Sequence, residues 1–516
     1  MTYIIIGSGI AGVNAAMTLL EKGKKVEMWD ADLADLSYLN KSNVLESYYG
    51  ENLKGIIDPS SESLFELPEN RSYYLKKNSY LWEFNDDKNF NIITSLSKGG
   101  LANGWGANSL PFTKNDISDW PIDFEQFNLH LKKVYKRIDI TSSNDDLRLI
   151  NNDYGSQKNI KLEEADLYMM KNYVKKKKYF DKKNIFFGNA RLAVNTSNIN
   201  DEPNGLNKSI WFPESRIYNP TYTLEDCHKH SGFRYLQKRK INYFKLVNNK
   251  VQSINYLNLH SNESISEKVD AKVLLCAGAI QSGIIYKRTL LENNLSEIDY
   301  NSQSSLMDTA VIKIFYIIPR LLGKKYNQNN FQLNRLIAGV INSDNMWPEY
   351  LHCEILNLND MIFHPLIETL PIGSFFSKEL FFSLKNTLGV LTIFAPDKMQ
   401  KTNNISIDPD NSLRVKINYI ESEDKLSFIS RNILLLKKAL LNLGAIPFMT
   451  KTYPPGSGIH YAGTIPMGED NCCDGNGRLH FCNNLYIADS SAFPSLPSRP
   501  VSINTAAFAS YVASKA

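Results

Sequence analysis

The first thirty residues alternate between apolar runs and a glycine turn. Residues 3–6 are apolar and predict a short buried strand, and the stretch after the glycines predicts a helix to about Glu21. Lys25–Trp29 alternates charged and apolar side chains, which predicts a second strand that ends at Asp30. A strand, a helix and a strand in this order form a β-α-β unit, whose two strands lie parallel in one sheet. The N-terminal pattern therefore predicts the start of a parallel sheet.

Helix-like and strand-like patterns recur further along the chain. Residues 123–138 repeat apolar side chains at helical steps, and residues 426–443 form a longer amphipathic stretch that ends at Gly444, a residue suited to a helix C-cap. Residues 242–247 and 251–257 predict a polar hairpin, and residues 272–276 predict a buried strand. We expect the hairpin and strand at the edge of the N-terminal sheet. Residues 31–95 show no clean periodicity and predict connecting structure.

A second group of strands is predicted after residue 305. The runs rich in β-branched and aromatic residues are 310–318, 335–341, 351–356, 390–394, 404–407 and 413–417. They predict a sheet of about five or six strands, which is large enough for a second domain. The C-terminal part returns to Gly, Pro and Ser turns around a strand at 485–488 and a closing helix at about 500–513.

Composition narrows the class of protein. The 516 residues suffice for about two to four domains, and 43% hydrophobic with 22% charged residues excludes disorder as a global description. The net charge of +4 is too small to gather nucleic acid over the whole surface. Six cysteines without a repeated C-x-x-C spacing argue against zinc and against a disulfide framework. We therefore expect no metal, and reduced thiols in a cytoplasmic protein.

The uncharged stretch of residues 2–20 could be mistaken for a signal peptide or a membrane anchor. No Lys or Arg precedes it, and Gly7, Gly9 and Gly12 interrupt its apolar run. A membrane-spanning helix needs about 20 predominantly apolar residues in succession. We therefore expect neither a cleaved leader nor a transmembrane segment.

The turn between the first strand and the first helix carries the motif G-x-G-x-x-G. In this motif the first glycine permits a tight turn, the second lets the backbone approach a pyrophosphate, and the third lets the helix pack close to the sheet. The helix N-terminus supplies unpaired N–H groups for the anion. The carboxylate at the end of the second strand can accept from ribose hydroxyls and would repel the 2′-phosphate of NADP. The predicted dinucleotide site, open to FAD or NAD at this point, comprises Gly7, Ser8, Gly9, Ile10, Ala11, Gly12 and Asp30.

Five segments in chain order resemble the glucose-methanol-choline (GMC) family of FAD-dependent alcohol oxidoreductases. After the β-α-β unit they are G-G-L-A-N-G-W-G at 99–106, V-L-L-C-A-G-A-I-Q-S at 273–282, H-Y-A-G-T-I-P-M-G at 460–468, and N-L-Y-I-A-D-S-S-A-F-P at 484–494, which Arg499 and Pro500 follow. The most specific is the fourth, which is similar to the family element H-x-x-G-T-x-x-M-G. Residues 31–95, 140–240 and most of 305–450 carry no such resemblance.

The resemblance implies an α/β protein with two domains. A Rossmann-like FAD-binding domain of three layers (β-β-α) would be assembled from residues 1–140, 180–304 and 452–516. An α+β substrate domain, built on an antiparallel or mixed sheet, would comprise residues 305–451, and residues 141–179 would connect the two. In the family the flavin lies between the domains, so we expect the second sheet to cover its reactive face.

The resemblance also implies a set of cofactor contacts. The N-terminus of the closing helix would direct positive partial charge at the flavin's pyrimidine end, where negative charge collects on reduction. Some relatives attach FAD through a His in the segment equivalent to residues 101–105; this chain has no His there, so we expect FAD to be bound non-covalently. The implied contacts are Gly100, Asn103 and Gly104 along the flavin, Ala277 and Gly278 after a strand, Asp489 near the ribityl chain and phosphates, Val251 with its backbone at the adenine, and Pro500 at the closing helix.

By the same resemblance, His460 is the candidate base that removes the hydroxyl proton while a hydride leaves for the flavin. Neutral imidazole, with an ordinary pKa of about 6.5, accepts protons well near pH 7. The family places a second His or Asn just before the final helix. Alignment on Pro500 gives Arg499 at that place, and counting from His460 gives Asn504. We favour Arg499, which would stabilise an alkoxide or reduced flavin or bind an acidic group of the substrate, because proline suits the first helical position.

The resemblance thus implies FAD-dependent oxidation of an alcohol to a carbonyl compound. Frequent Asn, Ser and Tyr favour a sugar or another polyol as substrate. The sequence leaves open the identity of the alcohol, the oligomeric state, and whether oxygen, a quinone or a redox protein accepts the electrons. The alternatives are an FAD-dependent amine oxidase or desaturase, an FAD-binding protein that has lost activity, and an NAD-dependent dehydrogenase.

Overall fold

The computed structural model of the chain describes residues 2–33, 83–84, 90–197, 216–295, 305–324, 333–342, 347, 349–357, 373, 376, 384–408, 414–468 and 472–516. Most of the predicted connecting segment 31–95 lies outside these residues. The helices are α1 (Ile10–Leu20), α2 (Phe124–Arg137), α3 (Glu164–Lys175), α4 (Lys177–Lys182), α5 (Pro220–His228), α6 (Ala279–Glu292), α7 (Glu423–Asn442) and α8 (Val501–Lys515).

The strands up to residue 275 are β1 (Thr2–Ile6), β2 (Lys25–Trp29), β3 (Glu83–Phe84), β4 (Ile185–Asn189), β5 (Phe233–Leu236), β6 (Arg239–Val247), β7 (Lys250–Asn258), β8 (Glu263–Lys268) and β9 (Ala271–Leu275). Those that follow are β10 (Ala310–Ile317), β11 (Leu336–Ile341), β12 (Tyr350–Asn357), β13 (Leu388–Ala395), β14 (Asp397–Lys398), β15 (Asn404–Ile407), β16 (Arg414–Asn418), β17 (Ile446–Thr452), β18 (Leu485–Ile487) and β19 (Ser495–Leu496). The helices predicted at 123–138, 426–443 and 500–513 match α2, α7 and α8 within three residues at each end.

A five-stranded parallel sheet forms the first half of the molecule, in the order β18-β9-β1-β2-β5. The predicted β-α-β unit is confirmed. Every residue of α1 is buried, because the helix packs against the sheet and is also covered by α8. The Thr18 and Ser510 hydroxyls are 2.7 Å apart where these two helices meet. The first and last parts of the chain therefore share one core.

The position predicted for the polar hairpin was wrong. The strands β6, β7 and β8 form a separate three-stranded antiparallel sheet, and β9 lies between β1 and β18 rather than at an edge. The reason is burial: four of the five residues of β9 are buried, and a strand covered on both faces belongs in the interior of a parallel sheet.

The second sheet has six strands in the order β17-β10-β13-β12-β11-β4, all antiparallel to their neighbours. Side chains of α3 and α7, among them Met169 and Leu436, share a hydrophobic core with one face of this sheet. The runs predicted at 404–407 and 413–417 form β15 and β16 in a smaller sheet with β3.

Strand β4 does not lie in the sheet that the predicted domain division implies. It pairs with β11 and so belongs to the second sheet, although residues 180–304 were predicted to build the FAD-binding domain. The connecting segment 141–179 includes α3, which packs in the core of the second sheet. The pairing of β4 with a strand about 150 residues later is a long-range contact that no local pattern of residues reveals. The remaining domain boundaries stay a prediction.

None of the helices in the described ranges has both the length and the apolar character needed to cross a membrane.

Candidate functional site

An open cleft runs along the carboxyl edge of the parallel sheet. Ligands of open α/β sheets bind at this edge, outside the ends of the strands. The turn before α1, the first turn of α8 and the segment after β9 all line the cleft. Its lining includes the predicted residues Gly7, Ser8, Gly9, Ile10, Ala11, Asp30, Gly100, Ala277, Gly278 and Asp489. Residues of motifs that are far apart in sequence thus line one cleft.

The glycine turn has the geometry that the motif predicts. Gly7 has φ +98°, and a Cβ there would lie 2.7 Å from the Cys276 carbonyl oxygen. A Cβ on Gly12 would lie 1.9 Å from the Gly7 carbonyl oxygen, so this glycine lets α1 pack onto β1, although it does not line the cleft. A Cβ on Gly9 would meet nothing within 4 Å. The backbone at Gly9 therefore borders open space at the N-terminus of the helix.

Asp30 fixes the same turn from the neighbouring strand. Its carboxylate accepts from the Ser8 N–H at 2.6 Å and from the Asp32 N–H at 2.7 Å. Burial raises the pKa of Asp30 to about 6, and the hydrogen bonds from Ser8 and Asp32 act against that shift. Three further residues that line this end of the cleft were missed in the sequence: Arg239, Lys240 and Ile241, at the start of β6. The Arg239 guanidinium lies 4.2 Å from the centre of the Trp29 ring.

Asp489 links two other loops of the cleft. Its carboxylate accepts from the Gly278 N–H at 2.8 Å and the Ser282 hydroxyl at 2.6 Å, and also from the Ser491 N–H at 2.9 Å. The side chain is fully buried, and burial raises its pKa. Asp489 therefore holds the start of α6 against the turn after β18.

The glycine-rich segment at residues 99–106 only partly lines the cleft. Gly100 lies in the lining, whereas Asn103 and Gly104 do not. The Asn103 amide donates to the Lys98 carbonyl at 2.6 Å, and its Oδ1 is buried without a hydrogen-bond partner among the described residues. A buried acceptor without a donor usually marks a missing water, ion or ligand.

His460 itself is not among the residues that line the cleft, although its two neighbours in sequence, Ile459 and Tyr461, are. Its backbone N–H donates to Asp308 Oδ1 at 2.8 Å, and its Nδ1 is 2.9 Å from the Thr309 hydroxyl. The ring stacks on Phe394 of β13, with centroids 5.3 Å apart. Desolvation, with a smaller effect of the charge on His352, lowers the pKa of His460 to about 4. The imidazole is therefore neutral at pH 7.

Asp308 and Thr309 contact His460, and the sequence did not point to either of them. They immediately precede β10, about 150 residues before His460, and hold it at its backbone and its ring. Neither residue belongs to a recognisable motif, so only the tertiary structure reveals them.

Arg499 does not lie beside His460, contrary to the role predicted for it. Its guanidinium Nε is 2.5 Å from Asp116 Oδ2, and both side chains are 2% exposed. It also donates to the Asn151 side chain and lies 3.7 Å above the Tyr350 ring. The rings of Tyr350, His352 and Phe394 form a stacked row between Arg499 and His460. The charge of Arg499 is thus neutralised by Asp116, away from His460.

The alternative partner, Asn504, is saturated by the backbone. Its Oδ1 accepts from the Phe112 N–H at 2.7 Å, and its Nδ2 donates to the carbonyls of Leu110 and Pro500, both at 2.9 Å. It is fully buried and does not line the cleft. Asn504 therefore attaches α8 to the segment before α2, and we withdraw it as a reacting group.

Two predicted cofactor contacts also lie outside the cleft lining. The Val251 N–H donates to Asn484 Oδ1 at 2.8 Å, and the Val251 carbonyl accepts from the Asn484 amide at 3.3 Å, so its backbone groups are occupied. Pro500 precedes α8 as its N-cap, and it is the following residues Val501, Ser502 and Thr505 that line the cleft. The N-terminus of α8 nevertheless points to this cavity.

Comparison with known proteins agrees with this geometry. Residues 403–509 match the family model of the GMC oxidoreductases. This match, which includes His460, confirms the family resemblance predicted from the sequence and supports an oxidoreductase. No curated protein sequence matches the chain.

Two solved structures share the fold over almost their whole length. One is a pyridoxine 4-oxidase from Mesorbium loti, with a TM-score of 0.65, 13% identity, and coverage of 100% of this chain and 98% of that chain. The other is a formate oxidase from Aspergillus oryzae RIB40, in which FAD modification was studied with an arginine-to-alanine variant. Its TM-score is 0.63 at 11% identity, with coverage of 99% of this chain and 97% of that chain. At these identities the likeness shows the fold, and the predicted α/β fold class is confirmed.

Proposed function

We propose that this chain binds FAD and oxidises an alcohol to a carbonyl compound, with His460 as the base. The observation that carries the proposal is the neutral imidazole of His460, which Asp308 holds at the backbone and Thr309 at the ring. Both neighbours of His460 in sequence line the cleft. The GMC match over residues 403–509 and the oxidases among the solved structures support this class of reaction.

The residues of the cleft fit FAD. The N-termini of α1 and α8 offer unpaired N–H groups suited to an anionic pyrophosphate and to a reduced flavin. The open space beside Gly9 and Gly278 is a further feature that a bound cofactor would complete. When bound, FAD supplies the acceptor for a hydride from the alcohol carbon. In this proposal Gly104 and Val251 have no direct contact with it.

His460 would take the hydroxyl proton of the alcohol. In the tautomer whose Nδ1–H donates to the Thr309 hydroxyl, which the proposal requires, Nε2 carries the lone pair that accepts this proton. No hydrogen bond to Nε2 occurs among the residues that the structure describes. Phe394 fixes the plane of the ring through stacking. The chain thus orients one nitrogen of the imidazole and leaves the other for the substrate.

The face of the second sheet that carries Phe394 favours a polar alcohol. Residues paired across neighbouring strands lie on the same face, as do residues two apart in one strand. By this rule Lys313, Thr392 and Glu354 share the face of Phe394. An ammonium, a hydroxyl and a carboxylate on the sheet face that carries Phe394, the ring stacked on His460, suit hydroxyl-rich or ionic substrates. We therefore retain a sugar or another polyol as the proposed substrate class.

The test of the function is a spectroscopic assay without oxygen. The purified protein with its flavin is mixed with sugars, other polyols, pyridoxine, formate and primary amines, and the flavin absorbance is followed. We expect bleaching with at least one alcohol and none with amines. Bleaching by amines alone would replace the alcohol oxidation with amine oxidation, and a protein purified without flavin would overturn the proposal.

We predict that protonation of His460 lowers kcat/KM only below about pH 4, by about tenfold per pH unit. The base acts in its neutral form, which persists above its folded-state pKa and is lost as the pH falls through that value, about 4 for His460. An ordinary histidine would lose activity near pH 6.5. Initial rates from pH 8 to pH 3 test the prediction, with recovery of activity at pH 7 as a control for unfolding. Because burial raises the pKa of Asp308, which contacts the His460 backbone, to about 7, the Asp308→Asn variant is measured as well. A decline centred near pH 6.5 that remains in this variant would contradict the prediction.

We predict that acid denaturation releases the flavin. No histidine stands in or next to the segment 99–106, so a covalent link of the kind expected there has no donor. The holoprotein is precipitated with acid and passed through a filter that retains protein. Flavin absorbance in the filtrate is the expected result, and absorbance retained with the protein would show a covalent link.

A further inference from the structure

A group of ionisable side chains is buried beneath the loop that carries His460. We name it the Lys425 cluster; its members are Asp308, Asp397, Tyr419 and Lys425. All four are at most 5% exposed, and none lines the cofactor cleft. We propose that this cluster is a positioning device that fixes the His460 loop for proton transfer. The inference rests on the function proposed above.

Lys425 joins the members of the cluster. Its Nζ donates to the Asp308 carbonyl at 3.1 Å and to the Tyr419 hydroxyl at 2.9 Å, and lies 3.2 Å from Asp397 Oδ2. The same Asp397 oxygen accepts from the Tyr419 hydroxyl at 2.6 Å and from the Asp308 N–H at 3.1 Å. The backbone of Asp308 is thus held at its N–H and at its carbonyl.

The side chain of Asp308 passes this constraint to the loop. Its Oδ1 accepts from the His460 N–H at 2.8 Å, and its Oδ2 accepts from the Gly458 N–H at 2.9 Å. Burial, with a smaller effect of the Asp397 charge, raises the pKa of Asp308 to about 7, whereas the two N–H donors and Lys425 lower it. Acceptance at both oxygens is the arrangement of the carboxylate form, which the two N–H donors and Lys425 favour.

The loop needs such a constraint because its backbone is strained. Ile459, between the two N–H donors, has φ +55°, a conformation that is unfavourable for a β-branched residue. A Cβ on Gly458 would lie 2.3 Å from the Thr309 carbonyl oxygen, so the loop is also pressed against the start of β10. Strained backbone persists only where its surroundings determine it. The Asp308 carboxylate supplies this determination on both sides of Ile459.

Stability alone does not account for the cluster. Burying charges costs several kcal/mol per ion, and well-packed apolar residues of similar volume often stabilise a core equally well or better. The cluster instead fixes the orientation of the His460 loop. Its hydrogen bonds are directional, and two of them join Asp308 to N–H groups of that loop. A positioning role explains why ions occupy this place.

The test compares two buried carboxylates of the same half of the molecule. Asp308→Asn keeps the size of the side chain but can accept at one oxygen only, so either the His460 or the Gly458 N–H loses its partner. We expect kcat to fall about 100-fold, the cost of a misplacement of about 1 Å, with KM and flavin content within about threefold of wild type. Asp166→Asn is the matched control: Asp166 is 1% exposed and bonds the Glu163 N–H and Asn357, far along the chain from His460. We expect wild-type kcat from it.

A milder pair covers the case in which Asp308→Asn fails to fold. Tyr419→Phe removes the hydroxyl between Lys425 and Asp397 and keeps the ring on Phe90. Tyr316→Phe removes a buried hydroxyl that bonds Asn357 instead. We expect a several-fold loss of kcat for the first and none for the second.

Hydrogen exchange of the peptide that contains residues 456–463 gives a readout that does not depend on turnover. We expect faster exchange in Asp308→Asn and Tyr419→Phe than in either control. Wild-type kcat and exchange in both cluster variants would overturn the positioning role. His460→Ala, assayed beside them, separates the two ideas: if it remains active the proposed function fails, and if it alone is inactive only the cluster proposal fails.

Discussion

Replacement of His460 by Ala is expected to lower kcat/KM by about 10²- to 10⁴-fold, the range that general base catalysis contributes. Among the described residues, His460 is the only histidine whose two neighbours in sequence both line the cleft. Stopped-flow reduction of the flavin by the alcohol found in the substrate assay measures the effect directly. Because the His460 side chain does not line the cleft, flavin content and its absorbance spectrum should stay at wild-type values.

His480 provides the matched control for that variant. It lies 20 residues further along, and its ring bonds the Gly468 carbonyl on an exposed part of the surface. We expect His480→Ala to reduce flavin at the wild-type rate. Should His460→Ala also react within threefold of wild type, the base is another group and the assignment of His460 is wrong.

Replacement of Arg499 by Met is expected to lower the free energy of unfolding by about 3–5 kcal/mol, the usual cost of leaving one partner of a buried ion pair alone. Both Arg499 and Asp116 are 2% exposed, so solvent cannot compensate the carboxylate that remains. The cation over the Tyr350 ring and the hydrogen bond to Asn151 are lost as well. Urea unfolding of the variant and wild type at equal flavin saturation measures the difference.

The double variant with Asp116→Leu tests the cause of that loss. Removing the carboxylate as well should restore most of the stability, because the unpaired charge is gone. The same proteins decide whether Arg499 takes part in the reaction. A folded Arg499→Met variant whose flavin reduction falls 100-fold would return Arg499 to the role that the sequence suggested.

Patterns of nearby residues predicted the features that depend on residues close together in sequence. The glycine turn and its strand and helix follow from spacing over a dozen residues, and the close approach at Gly12 is a property of that turn. The H-x-x-G-T-x-x-M-G element identified His460 because its residues adjoin in sequence. The place of β9 was missed because its hairpin suggested an edge, whereas its burial suits the interior of the sheet.

Contacts between distant segments could not be predicted in this way. Asp308 and Thr309 meet His460 across about 150 residues, and β4 joins a sheet whose other strands all come after residue 309. The ion pair of Arg499 with Asp116 spans 383 positions. The motif around Pro500 suggested Arg499 as a reacting group. Its partner Asp116 lies outside that motif, so the motif could not predict the ion pair.

The shared core of the first and last segments has a consequence for synthesis. The sheet that begins at Thr2 is complete only when β18 has joined it. The helix that begins at Ile10 is fully covered only when α8 has packed against it. During synthesis on the ribosome, the N-terminal strands cannot complete their sheet until β18 and α8 have been made. Such late closure makes folding slow and leaves apolar surface of the growing chain open to chaperones.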